Sequence, residues 1–268
     1  MPAPRPLPEN AGHVFAGEPA WPPAVIASRH AQQLSAGANP SGRPNGDVLR
    51  GYVGFSDYQT SERWQIDFPA HYTEQEAGLH QGPLEVLRER LGPATLVGEW
   101  WINPHADPAL RAALARVQRY LAMPFVYSEP GWTWIEGDWL PDETLVVVAR
   151  DDDFTAAVLQ SRIFAEWWLA HHEESSAIRI AESFPFPWPL TRPLGALTGL
   201  QQDLRYEASR ASRAGDSVGT NAAVAKAYGW PVDLPAVDLV ARLHELHQRR
   251  LSGGSRGPFP LGRSNPPM

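Results

Sequence analysis

The chain has 268 residues, enough for one large domain or two small ones, with an ordinary globular mix of 43% hydrophobic and 20% charged residues. It contains no cysteine, which excludes disulfides, thiolate catalysis and cysteine-based zinc sites. The formal charge of −7 is uneven: residues 1–190 hold 13 basic and 24 acidic groups, a net of −11, whereas residues 191–268 hold 10 and 6, a net of +4. Net acidity argues against a free-standing nucleic-acid binder, whose affinity comes largely from neutralising phosphates, but leaves room for a local basic groove. Lys226 is the single lysine and follows Ala225, so a Gly-Lys phosphate loop is absent. No apolar run approaches the roughly 18 residues of a membrane span. The opening "MPAPRPLPEN" lacks the basic-then-apolar layout of a signal peptide. A cytoplasmic protein without a membrane partner is therefore expected.

In chain order, residues 1–38 read as an N-terminal lead, Pro-rich to about residue 20 and expected to be partly disordered, and Asn39–Asp47 is a dense turn cluster. "DVLRGYVGF" and "RWQIDF" alternate as strands do. Thr73 and Glu76 have capping-box spacing, opening a helix to about Leu91 with an interruption near Gly82-Pro83. "ATLVGEWWI" reads as a strand. "ADPALRAALARVQRYLAM" reads as one helix, with Asp107 as N-cap, Pro108 in the first turn, and Leu110, Leu114, Val117 and Leu121 as its apolar stripe. "WTWIEGDW" and "TLVVVAR" read as strands around a turn at Pro141-Asp142. A helix from about Phe154 to His171 follows, then "AIRIAE" as a last strand. Residues 194–251 read as all-helical, with Gly229 ending the middle helix and Leu239, Leu243 and Leu246 lining the last. The whole predicts an α+β fold with a mixed or antiparallel sheet and packed helices over 39–190. A helical subdomain over 191–252 follows, then a tail over 253–268 expected to be disordered.

Several constellations invite a chemical reading. "SNPPM" (Ser264–Met268) resembles the Asn-Pro-Pro-aromatic loop of amino-methyltransferases, whose aromatic residue stacks on a flipped base. Here methionine replaces the aromatic, and neither a preceding strand nor a glycine-rich donor turn accompanies it. No catalytic residue and no cofactor-binding residue is assigned. Asp151–Asp153 follows an apolar run, where metal-binding carboxylates occur, but also where acids cap helices; the cap is the favoured reading. His171, His244 and His247 are read as solvated helix surface rather than zinc ligands, since no third ligand is evident for the i, i+3 pair His244/His247. No metal site is assigned. The pairs Trp100-Trp101 and Trp167-Trp168, with Trp132 and Trp134, are compatible with a sugar platform or with core. "SFPFPWPL" (Ser183–Leu190) is either an exposed polyproline-like ligand or a joint pinned by its aromatics.

Taken together and in order, "NPSGRPNGDVLRGYVGFSD", "RWQIDF", "TEQEAGL", "EWWIN", "LRAALARVQRYLA", "WLPDETLVVVARDDDFTAAVLQSRIFAEWW", "ESFPFPWP" and "NAAVAKAYGWP" carry a resemblance. The chain resembles the target-recognition and C-terminal region of the MmeI-like type IIG/IIL restriction-modification DNA methyltransferases, over about residues 39–251. In that family a nuclease, when present, and a methyltransferase domain precede this region, and the resemblance implies that the chain corresponds to the part after both.

The resemblance implies a DNA sequence-recognition module or specificity subunit of an adenine-specific system, non-catalytic alone. Its partners would be double-stranded DNA and a methyltransferase chain, with or without a nuclease. No cofactor is expected here; S-adenosylmethionine would sit on the partner. Sequence reading in a major groove asks for arginine at guanine, Asn or Gln at adenine, and acids at cytosine, with other groups on phosphates. The candidates are Arg43, Asn45, Arg50, Arg63, Arg119 and Arg162, with Tyr127, Ser128 and Glu129 where relatives carry a basic reading segment. Two alternatives stand beside this: the C-terminal piece of a split methyltransferase, and a Trp-rich protein- or carbohydrate-binding module unrelated to DNA.

Overall fold

The computed structural model of the chain describes residues 3–55, 63–125 and 130–253. Its strands are β1 (Val14–Ala16), β2 (Val25–Ala27), β3 (Leu49–Val53), β4 (Arg63–Ile66), β5 (Arg119–Pro124), β6 (Thr133–Glu136), β7 (Leu140–Pro141) and β8 (Leu145–Val148). Its helices are α1 (Ser28–Ala36), α2 (Glu74–Gly78), α3 (Gln81–Leu91), α4 (Pro108–Leu114), α5 (Asp153–Leu159), α6 (Arg162–His171), α7 (Ala177–Ser183), α8 (Gly199–Arg213), α9 (Ser217–Tyr228) and α10 (Ala236–Leu251). The strands form two four-stranded sheets, ordered β1-β8-β5-β6 and β2-β4-β3-β7. The fold is α+β, as the sequence implied. No helix of the described residues is long and apolar enough to cross a membrane.

Two compact units divide the chain. The first, called here the aromatic unit, comprises Met1–Phe15, Tyr120–Trp134 and Val146–Met268. Its core gathers Phe154, Phe164, Trp167, Trp168, Phe184, Phe186, Trp188, Tyr228 and Trp230 with the leucines of α10. The aromatics of "SFPFPWPL" are therefore buried. Phe154 and Trp188 stack at 4.5 Å, and Phe184 meets Phe164 and Phe186 edge-on at 5.0 Å each. The freed backbone carbonyls find donors in Tyr228 Oη, which binds Pro185 O at 2.9 Å, and Arg250, which binds Phe186 O. The segment is a joint, and its burial rules out the exposed-ligand reading.

The second, called here the charged-sheet unit, comprises Ala16–Arg119 and Ile135–Leu145. It holds the sheet β2-β4-β3-β7, with β2, β4 and β3 antiparallel and β3–β7 parallel. Its smaller apolar core includes Ile26, Leu49, Ile66, Phe68, Leu84, Leu87 and Trp101.

Local signals hold where a side chain must satisfy a helix end. Thr73 and Glu76 form the full capping box of α2, with Glu76 accepting from Thr73 N at 2.7 Å. Asp107 caps α4, Asp152 caps α5, and Gly229 ends α9 at φ +72°, a left-handed conformation that favours glycine. The interruption before α3 falls at Leu79-His80, slightly ahead of the expected Gly82-Pro83.

Four expectations are corrected. The helix expected over "ADPALRAALARVQRYLAM" stops at Leu114, and Arg119–Pro124 is strand β5. Tyr120, Leu121, Ala122 and Met123 are all buried, and a strand covered on both sides reads as a continuous apolar run that periodicity cannot tell from a buried helix. "ATLVGEWWI" is not a strand: Val97 is 80% exposed and Gly98 turns the chain at φ +63°. "AIRIAE" is helix α7, because Ala177, Ile180 and Ala181 bury one helical face and Ser176 caps it. The helix over 154–171 is two helices, split at Gln160-Ser161.

Candidate functional site

The antiparallel pairing of β3 with β4 sets Arg50 opposite Gln65, Gly51 opposite Trp64 and Leu49 opposite Ile66. Opposed residues share a face, and successive residues alternate faces. Leu49, Trp64 and Ile66 thus turn to the apolar core, whereas Arg50, Tyr52, Arg63, Gln65 and Asp67 form a polar face. The sheet buries hydrocarbon on one side and organises charge on the other.

Two ion-pair knots hold this polar side. In one, Arg111 of α4 donates from Nη1 to both oxygens of Asp67 at 2.6 and 2.8 Å, and from Nε and Nη2 to Glu18 at 2.8 and 2.9 Å. Glu18 also accepts from Asp107 N at 2.9 Å, tying the helix cap to the same acid. Burial opposes the charge on Arg111, but the hydrogen bonds to Glu18 and the charges of both acids outweigh it and raise its pKa. Burial raises the pKa of Asp67, against the lowering pull of Arg111. In the other knot, Asp142 accepts from Arg63 Nη2 at 2.7 Å and from Thr144 N at 2.9 Å, and donates its own N–H to Val53 O at 2.7 Å. The Arg63 guanidinium lies 5.0 Å from the Tyr52 ring centroid. Gly54 is required here, since a Cβ would lie 1.8 Å from Asp142 Oδ2.

Between the polar sheet face and α4 lies a groove of about 880 Å³. Phe68, Pro69, Ile102, Leu114 and Leu140 make much of its wall, and Arg50, Asp67, His71, Asn103, Arg111, Gln118 and Asp138 supply its polar groups. Arg50 is half-buried and makes no ion pair among the described residues. Asn103 is 4% exposed; its Oδ1 accepts from His105 N at 2.9 Å, while its Nδ2 has no hydrogen-bond partner among the described residues.

The residues singled out in the sequence are distributed unevenly. Arg43, Asn45, Arg50, Arg63 and Arg119 belong to the charged-sheet unit and Arg162 to the aromatic unit. Arg43 is exposed on the turn over 39–45, which is pinned by Asn39 Nδ2 to Arg43 O and to Leu79 O, both at 2.6 Å. Asn45 is buried, donating to Leu34 O at 3.1 Å and accepting from Asn39 at 3.2 Å. Arg50 opens on the groove, Arg63 is held by Asp142, and half-buried Arg119 starts β5. Arg162 begins α6, its N–H bound by Asn221 at 2.7 Å and its side chain by Glu166 at 3.2 Å. Tyr127, Ser128 and Glu129 lie outside the described residues, as does Ser264–Met268.

Sequence reading missed Glu18, Asp67, Asn103 and Arg111. A signal existed for one: the alternation of "RWQIDF" puts Arg63, Gln65 and Asp67 on one face, opposite Trp64, Ile66 and Phe68. Arg111 and Glu18 are 93 residues apart, and nothing local announces their pairing.

In the aromatic unit, two of the three histidines read as solvated surface are buried instead, and His244 is half-buried. His171 and His247 are each 1% exposed, and with His244 they surround Trp167 at ring-centroid distances of 4.4, 5.7 and 4.9 Å. Burial, reinforced by His244 and His247 and opposed by Glu174, pushes the pKa of His171 down to about 4. Among the described residues no group of His, Cys, Asp and Glu is suited to hold a metal ion. Asp152 serves as a cap, accepting from Thr155 N at 2.9 Å, and pairs with Arg150 at 2.8 Å.

No protein-family model matches the chain, and no curated protein matches it. Among solved structures, the fold is similar to that of MmeI. That type IIL restriction-modification enzyme was solved in complex with DNA, and the likeness covers 90% of this chain at a TM-score of 0.56 and 14% identity. This chain spans 36% of the MmeI chain. At that identity the likeness is one of fold.

Proposed function

We propose that this chain is a DNA sequence-recognition module of a restriction-modification system, non-catalytic alone and acting with an adenine-specific methyltransferase chain that carries S-adenosylmethionine. The observation that carries the reading is the fold likeness to MmeI, an enzyme solved on DNA, over 90% of this chain. Arg50, which makes no ion pair among the described residues, and the exposed Arg43, both in the charged-sheet unit, fit a DNA-facing role. Arg63, whose charge is matched by Asp142, fits a positioning role.

The experiment is selection of bound duplexes from a randomised pool by the purified chain, with and without a candidate methyltransferase chain. A defined sequence should emerge, with affinity falling as salt rises, because bound phosphates release counterions. Arg50→Ala should weaken the selected duplex by about 1–3 kcal/mol if Arg50 reads a base. Incubation of the chain alone with S-adenosylmethionine and that duplex should yield no methylation. Failure to enrich any duplex under either condition would sink the reading.

A further inference from the structure

The groove of the charged-sheet unit holds a polar group that lacks a partner among the described residues. Asn103 lines it with a buried Nδ2 that has no hydrogen bond there. The amide cannot be reversed to remove the problem, because Oδ1 already accepts from His105 N. Gln65, fully buried and opposite the groove-lining Arg50, has neither Oε1 nor Nε2 hydrogen-bonded among the described residues. A buried amide without a partner loses its bonds to water without replacement, so such groups mark places where something else completes the bonding.

The chemistry of the walls narrows what that is. An anion is disfavoured: Arg111 is matched by both Glu18 and Asp67, and with Arg50 and Asp138 included the carboxylates outnumber the cations by one. A purely apolar ligand would leave the Asn103 carboxamide unsatisfied. A neutral planar ring with apolar faces and an edge that both donates and accepts satisfies each demand. Arginine, Asn or Gln, and Asp are also the side chains that complement guanine, adenine and cytosine edges. The volume of about 880 Å³ lies within the usual range for small-molecule sites.

We propose that this groove is a nucleobase-binding site, with Asn103 Nδ2 donating to a ring or carbonyl acceptor of the base. The base comes from a free nucleoside or from an unpaired nucleotide of DNA. The site goes beyond duplex recognition and stands whether or not the chain binds paired DNA.

The test is calorimetric titration of the full chain with adenosine, guanosine, cytidine and thymidine separately, alongside a blocked dipeptide. At least one nucleoside should bind saturably in the millimolar range or better. Asn103→Asp keeps the acceptor for His105 N and removes the donor, and should weaken that nucleoside at least tenfold. If the variant does not fold, the decision passes to the wild-type Asn103 side-chain amide protons, whose NMR signals must shift on adding the nucleoside. A duplex with one unpaired base that competes with the nucleoside points to DNA as the source; a nucleoside that binds without such competition points to the free form. The proposal is overturned if no nucleoside binds, if only the dipeptide binds, if Asn103→Asp binds as wild type does, or if the amide protons do not move.

Discussion

The aromatic unit and the charged-sheet unit solve the same problem with different materials. The first buries rings: Phe184, Trp167 and Tyr228 are wholly enclosed, and their few polar atoms reach backbone carbonyls nearby. The second has a smaller apolar core and spends one sheet face on charge, with Arg111 and Arg63 matched by Glu18, Asp67 and Asp142. Apolar packing is tolerant of direction, whereas a buried ion pair holds only at one geometry. The unit whose side chains are fixed by ionic knots carries the groove of about 880 Å³.

The comparison can be broken from either side. The largest effects should come from removing one member of each core. Arg111→Met leaves Glu18 and Asp67 without a counter-charge and should cost about 3–5 kcal/mol. Phe184→Ala should cost a similar 3–5 kcal/mol through lost burial and a cavity. Urea unfolding followed by circular dichroism measures both. Raising salt should leave the Phe184→Ala deficit unchanged; a deficit for Arg111→Met below 1 kcal/mol would mean that the knot is not holding the sheet face.

Acid should act first on the aromatic unit. His171 is neutral in the fold with its pKa near 4, whereas an unfolded histidine takes up a proton near 6.5. The unfolded state therefore binds more protons in that window, and stability present above pH 6.5 is lost as pH falls toward 4. The loss from His171 alone is roughly 3 kcal/mol, at 1.36 kcal/mol per pKa unit. His171→Leu should flatten the pH dependence of the melting temperature over this range, and an unchanged slope would contradict the burial of a neutral ring.

The smallest effects concern helix caps, one in each unit. Asp152→Ala and Asp107→Ala should each cost about 1 kcal/mol. Asp152→Ala should be the more harmful, because its carboxylate also accepts from Thr155 Oγ1 at 2.8 Å and pairs with Arg150 at 2.8 Å, whereas the Asp107 backbone N–H that binds Glu18 survives the substitution. Equal losses would show that the Arg150 pair adds nothing to the cap.

How much could be read beforehand follows the range of each interaction. The capping box of Thr73 and Glu76, the caps Asp107 and Asp152, the stop at Gly229 and the leucine stripe of α10 are set within a few residues, and all were legible. Strand β5 was not, because Tyr120–Met123 is buried on both faces and shows no alternation. The histidines were misjudged because His171 and His247 share a face only after α6 and α10 pack. Of the groove, the sequence singled out Arg50, but Asn103, Asp67 and Arg111 arrive from separate segments.

By itself, then, the sequence determined the α+β class, the helix caps at Thr73, Asp107, Asp152 and Gly229, and the helical character of residues 194–251. These rest on local sterics, capping and periodicity, which neighbouring residues settle among themselves. Tertiary structure alone decided which charges are matched, which amides are stranded and where a groove opens. Those depend on groups as far apart as Glu18 and Arg111, whose meeting is fixed only when the sheet and helix α4 close on one another.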